Sequence, residues 1–225
     1  MKKKYLLFDL DGTLTDPMEG ITRSVQHALE HYGIREPDQR KLCPFIGPPL
    51  KQSFMKYYGF EEKKAAEAVW VYREYYSSRG IFENRVYEGI PEMLRELQSE
   101  GRKLLVATSK PEVYARQILE HFDLDRYFSF IGGAGMEESR VEKGDVIRYV
   151  LEKNSIAETS LAVMAGDREH DILGARKNGM DSVGVLFGYG SRRELEEAGA
   201  RVLAETVKDL GHLLAGEWED GYVKG

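Results

Sequence analysis

Tyr5-Leu6-Leu7-Phe8-Asp9-Leu10-Asp11-Gly12-Thr13-Leu14-Thr15-Asp16 is the stretch that decides the fold. Its four leading apolar residues are too few for a buried helix, and without polar alternation they read as a strand covered on both faces, as in a parallel sheet. The run stops at an acid. In open parallel sheets ligands bind beyond the carboxyl ends of the strands, so Asp9 and Asp11 fall where chemistry is done. Two carboxylates this close repel one another unless a cation lies between them or one is protonated. A hard divalent cation such as Mg²⁺, which prefers oxygen ligands, is the natural guest. A calcium loop counted from Asp9 fails, because Leu14 takes the glycine position and Gly20 that of the bidentate Glu. A plain Asx turn remains the other reading.

Working outward, apolar runs at 104–107, 161–165 and 182–186 repeat the strand signal. Helical patterns at 91–99, 111–122, 143–153 and 172–177 alternate with them, which specifies an α/β domain with a parallel sheet. The helix at 111–122 is expected to bury Val113, Ile118, Leu119 and Phe122. Residues 17–83 break the rhythm, with helices at 19–32, 50–58 and 61–79 and no convincing strand between them. The expected organisation is an α/β core at 1–16 and 84–216, an inserted helical cap at 17–83, and a tail at 217–225.

The 225 residues suit one large domain with an insert, taking about 150 residues per domain. With 32 basic against 38 acidic residues the net charge is −6, so there is no basic excess to neutralise a nucleic-acid polymer or an anionic membrane. No apolar run approaches the roughly 18 residues of a membrane span. Cys43, the single cysteine, can form neither an internal disulfide nor a four-cysteine zinc site. That usage fits a reducing compartment and a cytoplasmic protein, expected as a monomer or homodimer.

Three further motifs sit where strands give way to helices. Ala107-Thr108-Ser109-Lys110-Pro111 offers a hydroxyl, helix N-terminal amides and an ammonium, the parts of a phosphate cradle; a simple helix cap with a solvated lysine is its bland alternative. Lys143 opens an amphipathic helix. Ala165-Gly166-Asp167-Arg168-Glu169-His170-Asp171 is another acidic loop behind an apolar strand. Loops of this kind converging on one sheet edge gather acids, hydroxyls and a lysine around a point.

Together these motifs resemble the haloacid dehalogenase superfamily of phosphohydrolases with an aspartate nucleophile. Asp9-Leu10-Asp11-Gly12-Thr13, Thr108, Lys143 and Gly166-Asp167 through Asp171 match its four motifs in order, and the likeness covers residues 4 to 214. The stretches Phe45-Ile46-Gly47-Pro48-Pro49-Leu50 and Gly184 through Gly190 are similar to the phosphoglycolate-phosphatase-like group with its 5'-nucleotidase-like members. The resemblance implies a Rossmann-like core with a helical cap, and hydrolysis of a small soluble phosphate ester, either phosphoglycolate or a nucleoside 5'-monophosphate. It makes Asp9 the nucleophile and Asp11 the acid and base. Mg²⁺ would be held by Asp9, the Asp11 carbonyl and Asp167, with Asp171 a direct ligand or one step behind, while Thr108, Ser109 and Lys143 hold the phosphoryl group. A phosphohexose mutase of the same superfamily and a non-catalytic binding module are the alternatives. Mutase relatives carry a cap-loop arginine where this chain has Pro48-Pro49.

All the motif residues serve phosphate and metal, so selectivity falls to the cap, where Gly47, Lys51 and Arg23 are candidates. His27 and His31 have the spacing of a zinc pair but lack a third ligand nearby. The cap aromatics, Trp70, Tyr72 and Tyr76 among them, read as core rather than as a base-stacking platform.

Overall fold

The computed structural model describes residues 2–136, 140, 142–200 and 202–216. The tail expected at 217–225 lies outside the described residues. The chain forms two compact units, Met1–Thr15 with Val86–Gly225, and Asp16–Arg85. No helix among the described residues is long and apolar enough to cross a membrane.

In chain order the elements begin with β1 (Tyr5–Phe8), β2 (Thr15–Asp16), α1 (Met18–His31), α2 (Leu50–Tyr58), α3 (Glu62–Tyr75), β3 (Arg85–Val86) and α4 (Ile90–Ser99). They continue with β4 (Lys103–Pro111), α5 (Glu112–His121), β5 (Phe130–Ala134), α6 (Lys143–Lys153) and β6 (Ala162–Gly166). The last are α7 (Glu169–Lys177), β7 (Asp181–Val185), α8 (Arg192–Ala198), β8 (Val202–Ala204) and α9 (Val207–Ala215).

The larger unit is an α/β fold on a six-stranded sheet of order β5-β4-β1-β6-β7-β8. Every pairing is parallel, with Leu7 opposite Leu105 on one side and Met164 on the other. β1 is central and wholly apolar because both of its faces are covered. Val146, Ile147 and Val150 of α6 close one face over Leu7, Leu105, Ala107 and Met164. The chain runs outward from β1 through β4 to β5, then returns to β6 and runs the other way. Such a reversal of strand order leaves a crevice at the carboxyl ends of the central strands.

Two strands of the six-stranded sheet escape the sequence pattern. β5 carries Gly132 and Gly133 in place of large apolar residues, because a Cβ at Gly132 would lie 2.4 Å from Val150 Cγ2 and one at Gly133 2.6 Å from the Lys110 carbonyl. β8 has three residues only. Pro111 ends β4 in extended backbone rather than opening the helix. As a result α5 buries Ala115, Ile118 and Leu119, while Val113 is 44% exposed, contrary to its periodicity, and Phe122 is half-buried.

The smaller unit is helical. Phe54 packs edge-on against Phe45, with ring centroids 5.0 Å apart, and stacks on Phe60 at 5.8 Å. After α3 the helix widens into a π turn over Tyr76–Gly80. Gly20 of α1 fits there because a Cβ would lie 1.9 Å from the Gly80 carbonyl. Tyr72 and Tyr76 are buried and stack on each other, but Trp70 is 69% exposed and is no part of the core. β2 and β3 pair as a two-stranded sheet, and Arg85 Nη2 meets Asp16 Oδ2 at 2.5 Å.

Candidate active site

The loops following β1 and β6, the carboxyl end of β4 and the first turn of α6 place their polar residues at one edge of the sheet. Asp9 extends the ladder, its N–H donating to the Ala165 carbonyl at 2.9 Å. The chain then turns sharply, with the amides of Leu14 and Thr15 on the Leu10 carbonyl at 2.9 and 3.0 Å and Gly12 at φ +81°. A Cβ on Gly12 would lie 2.2 Å from Asp167 Oδ2, so glycine alone lets this turn approach the β6 loop.

Lys143 is the centre of the arrangement. Its Nζ lies 2.8 Å from Asp9 Oδ1 and 2.8 Å from Asp171 Oδ1, and donates to the Ala107 carbonyl at 3.1 Å. Burial alone would disfavour the ammonium, but Asp171 and Asp9 outweigh it and push its pKa up. Asp171 Oδ2 accepts the Arg168 N–H at 3.1 Å. Burial pushes the Asp171 carboxyl up to about 6, with Asp9 adding to the shift and Lys143 opposing it.

Asp167 is fully buried, and its Oδ2 accepts the Tyr189 N–H at 2.8 Å. Its Oδ1 has no hydrogen-bond donor. Burial, followed by the charges of Asp171 and Asp9, holds this carboxyl well above the usual range. One oxygen from each of Asp9, Asp167 and Asp171 lies within 4.8 Å of the others. An undonated buried oxygen in such a trio fits a hard divalent cation, which takes carboxylate ligands. His27 and His31 do not belong to that group; His27 Nε2 lies 3.6 Å from Glu74.

Asp11 is separated from the trio by its partner. Lys110 Nζ lies 2.8 Å from Asp11 Oδ2, and Asp11 Oδ1 is buried without a donor. Burial raises the Asp11 pKa, with the Lys110 ammonium pulling it down in part. The two acids read from one strand end thus occupy different surroundings. Thr108 is buried, its Oγ1 accepting the Lys110 N–H at 3.2 Å, and Ser109 is half-buried. Pattern reading did not find the Asp11 partnership of Lys110, since a lysine in a strand-to-helix turn reads as a cradle ammonium or a solvated charge. It also missed the Tyr189 amide, though the Gly188-Tyr189-Gly190 run was there as a signal.

Arg23 pairs with Glu83 at 2.6 Å and Glu19 at 2.7 Å, and Lys51 with Glu62 at 2.8 Å. Gly47 has φ +101°.

The model of the haloacid dehalogenase-like hydrolase family matches residues 6–185. The 5'-nucleotidase of Pseudomonas aeruginosa is 53% identical over 190 residues, covering 84% of this chain and 86% of its own. The tyrosine-protein kinase PtkA of Mycobacterium tuberculosis is 39% identical, covering 94% of this chain and 72% of its own. A crystal structure described as a predicted phosphatase from Clostridium acetobutylicum superposes with a TM-score of 0.91 at 48% identity, covering 94% of this chain and 97% of the other.

Proposed function

The chain belongs to the haloacid dehalogenase-like hydrolases and is a phosphatase of phosphoric monoesters, and we propose that it works through Asp9 with Mg²⁺ on a small phosphate ester. Asp9 attacks phosphorus, forming the Asp9–phosphoryl bond as the ester P–O bond breaks. The departing oxygen keeps the electron pair and takes a proton from Asp11. Asp11, now a carboxylate, accepts a proton from water as the water oxygen attacks phosphorus. The Asp9–phosphoryl bond breaks, inorganic phosphate leaves, and Asp9 is restored.

The observation that carries this division of labour is that Asp9 shares Lys143 with Asp171 while Asp11 stands apart on Lys110. A nucleophile must stay ionised and an acid must hold a proton, so unlike surroundings for like carboxyls are what the chemistry requires. Asp9 and Asp167, with the Asp11 carbonyl, would hold Mg²⁺, and Asp171 would ligate it or steady Lys143 beside it. The metal, when bound, draws negative charge from the phosphoryl oxygens. Three buried acids, Asp9, Asp167 and Asp171, surround the single ammonium of Lys143, and a divalent cation would offset the excess negative charge. Thr108, Ser109 and Lys143 hold phosphate oxygens.

A nucleoside 5'-monophosphate is the first substrate candidate, supported by the 53% identity to the P. aeruginosa 5'-nucleotidase. Phosphoglycolate is the second, supported by a relative of that activity from Colwellia psychrerythraea at 26% identity. Gly47, Lys51 and Arg23 of the cap would read the leaving group, and the lone Cys43 suits work in the cytoplasm. Phosphate release from a panel of phosphate metabolites, ranked by kcat/KM with Mg²⁺ and with chelator, tests the proposal. Nucleotides should lead, and activity should vanish in chelator; full activity in chelator would contradict the metal assignment.

A further inference from the structure

Resting on the assignment of Asp11 as acid and base, we propose that Lys110 is a positioning residue that anchors one Asp11 oxygen so that the other is aimed for proton transfer. The register between β4 and β5 shifts between Thr108 and Pro111. A shift of this kind leaves extra residues on one strand and, as at a bulge, re-aims their side chains. It has room here because β5 carries Gly133, where a Cβ would lie 2.6 Å from the Lys110 carbonyl and 2.7 Å from the Glu112 backbone. In consequence the Lys110 side chain turns inward to 6% exposure, and its Nζ reaches Asp11 Oδ2 at 2.8 Å.

The contact is not explained by neutralising the metal-type cluster, since Asp9 and Asp171 already have Lys143. It divides the Asp11 carboxyl into a held oxygen, Oδ2, and a buried oxygen without a donor, Oδ1. A carboxyl turns freely about a broad terminal torsion, so an unanchored Asp11 would spread Oδ1 over many directions. Anchoring selects one. Orientation of this kind is worth large factors in rate when a proton must pass within hydrogen-bond reach.

The test compares kcat/KM, which reports every step up to expulsion of the alcohol, for a nucleoside 5'-monophosphate and for p-nitrophenyl phosphate. The aryl leaving group departs without a proton; the nucleoside does not. Lys110→Met should lower kcat/KM on the nucleotide by about 10- to 100-fold through kcat, and on the aryl ester by less than about threefold. Lys110→Arg should restore most of the nucleotide activity. Lys110→Gln, which keeps a donor, should lie between, and it stands in if the Met variant fails to fold. In an Asp11→Asn background, adding Lys110→Met should change nucleotide turnover by less than about twofold, because two residues acting as one unit are not additive. Equal losses on both esters, or an undiminished loss in the Asp11→Asn background, would overturn the proposal and give Lys110 a direct part in phosphate binding or in the fold. Asp11→Asn alone separates the two assignments. If its loss is the same on both esters, the acid role of Asp11 fails and the proposal falls with it. If its loss is selective for the nucleotide and that of Lys110→Met is not, only the proposal falls.

Discussion

Lys143 forms ion pairs with Asp9 and Asp171 and donates to the Ala107 carbonyl, so one side chain ties the β1 loop, the first turn of α7 and the backbone of β4 together. Removing it leaves two buried carboxylates uncompensated. Breaking a buried pair in this way costs about 3–5 kcal/mol, so Lys143→Met should lose that much stability in chelator, read by urea unfolding. A loss below about 1 kcal/mol would mean that these acids are hydrated or neutralised in the fold. The acids also fix a pH dependence. Burial raises the carboxyls of Asp167 and Asp171 above their unfolded values, Asp171 to about 6, so the folded metal-free chain binds more protons than the unfolded one. Its stability should therefore fall as pH rises from the unfolded carboxylate range through about 6. Mg²⁺ should raise Tm more at pH near 7.5 than near 5; an equal rise at both would contradict the cluster as the metal site. Asp9 and Asp167 stand out in the sequence because each follows an apolar run, and Lys143 because it opens a helix. The pairing of Lys110 with Asp11 does not, since it depends on a shift of register between β4 and β5 that no local pattern encodes.

At the scale of elements, glycines set how closely the loops approach the β6 loop. A Cβ on Gly188 would lie 2.3 Å from the Gly12 carbonyl and 2.4 Å from Asp167 Cβ, and one on Gly190 would lie 1.9 Å from the Asp167 carbonyl. The Gly188-Tyr189-Gly190 loop thereby brings the Tyr189 amide onto Asp167 Oδ2. Groups that orient a metal ligand matter to affinity about as much as 10- to 100-fold. Gly190→Ala should raise the half-saturating Mg²⁺ concentration by at least about tenfold, seen both in activation curves and in direct titration of the metal. An unchanged metal affinity with a folded chain would show that the loop does not position Asp167. The four inner strands were readable as apolar runs, whereas β5 was hidden by Gly132 and Gly133 and β8 by its brevity. In β5 packing, not propensity, chose the glycines. In the helical unit, Lys51→Ala frees Glu62 and should change the order of preference among phosphate esters more than the turnover of acetyl phosphate. A uniform fall across nucleotide, phosphoglycolate and acetyl phosphate would assign Lys51 to the fold of that unit.

At the scale of the molecule, a six-stranded parallel sheet carries the cluster of Asp9, Asp167 and Asp171, and a separate helical unit, Asp16–Arg85, follows the first acidic loop in the chain. The strand order places the carboxyl ends of β4, β1 and β6 side by side, which is why motifs far apart in sequence converge. The strand rhythm of the sequence breaks over residues 17–83. The exposure of Trp70 was not legible, since aromatic spacing along a helix is the same whether a face meets a core or water. The phosphoryl group should pass through Asp9 on its way to water. Nucleotide turnover should be stopped with acid during the steady state and the protein reduced with borohydride, which converts an aspartyl phosphate to homoserine. Tandem mass spectrometry of the peptide spanning β1 and its loop should then find homoserine at position 9, and none when Asp9→Asn is treated alike. Turnover with Asp9 unconverted, or homoserine at another aspartate, would contradict it.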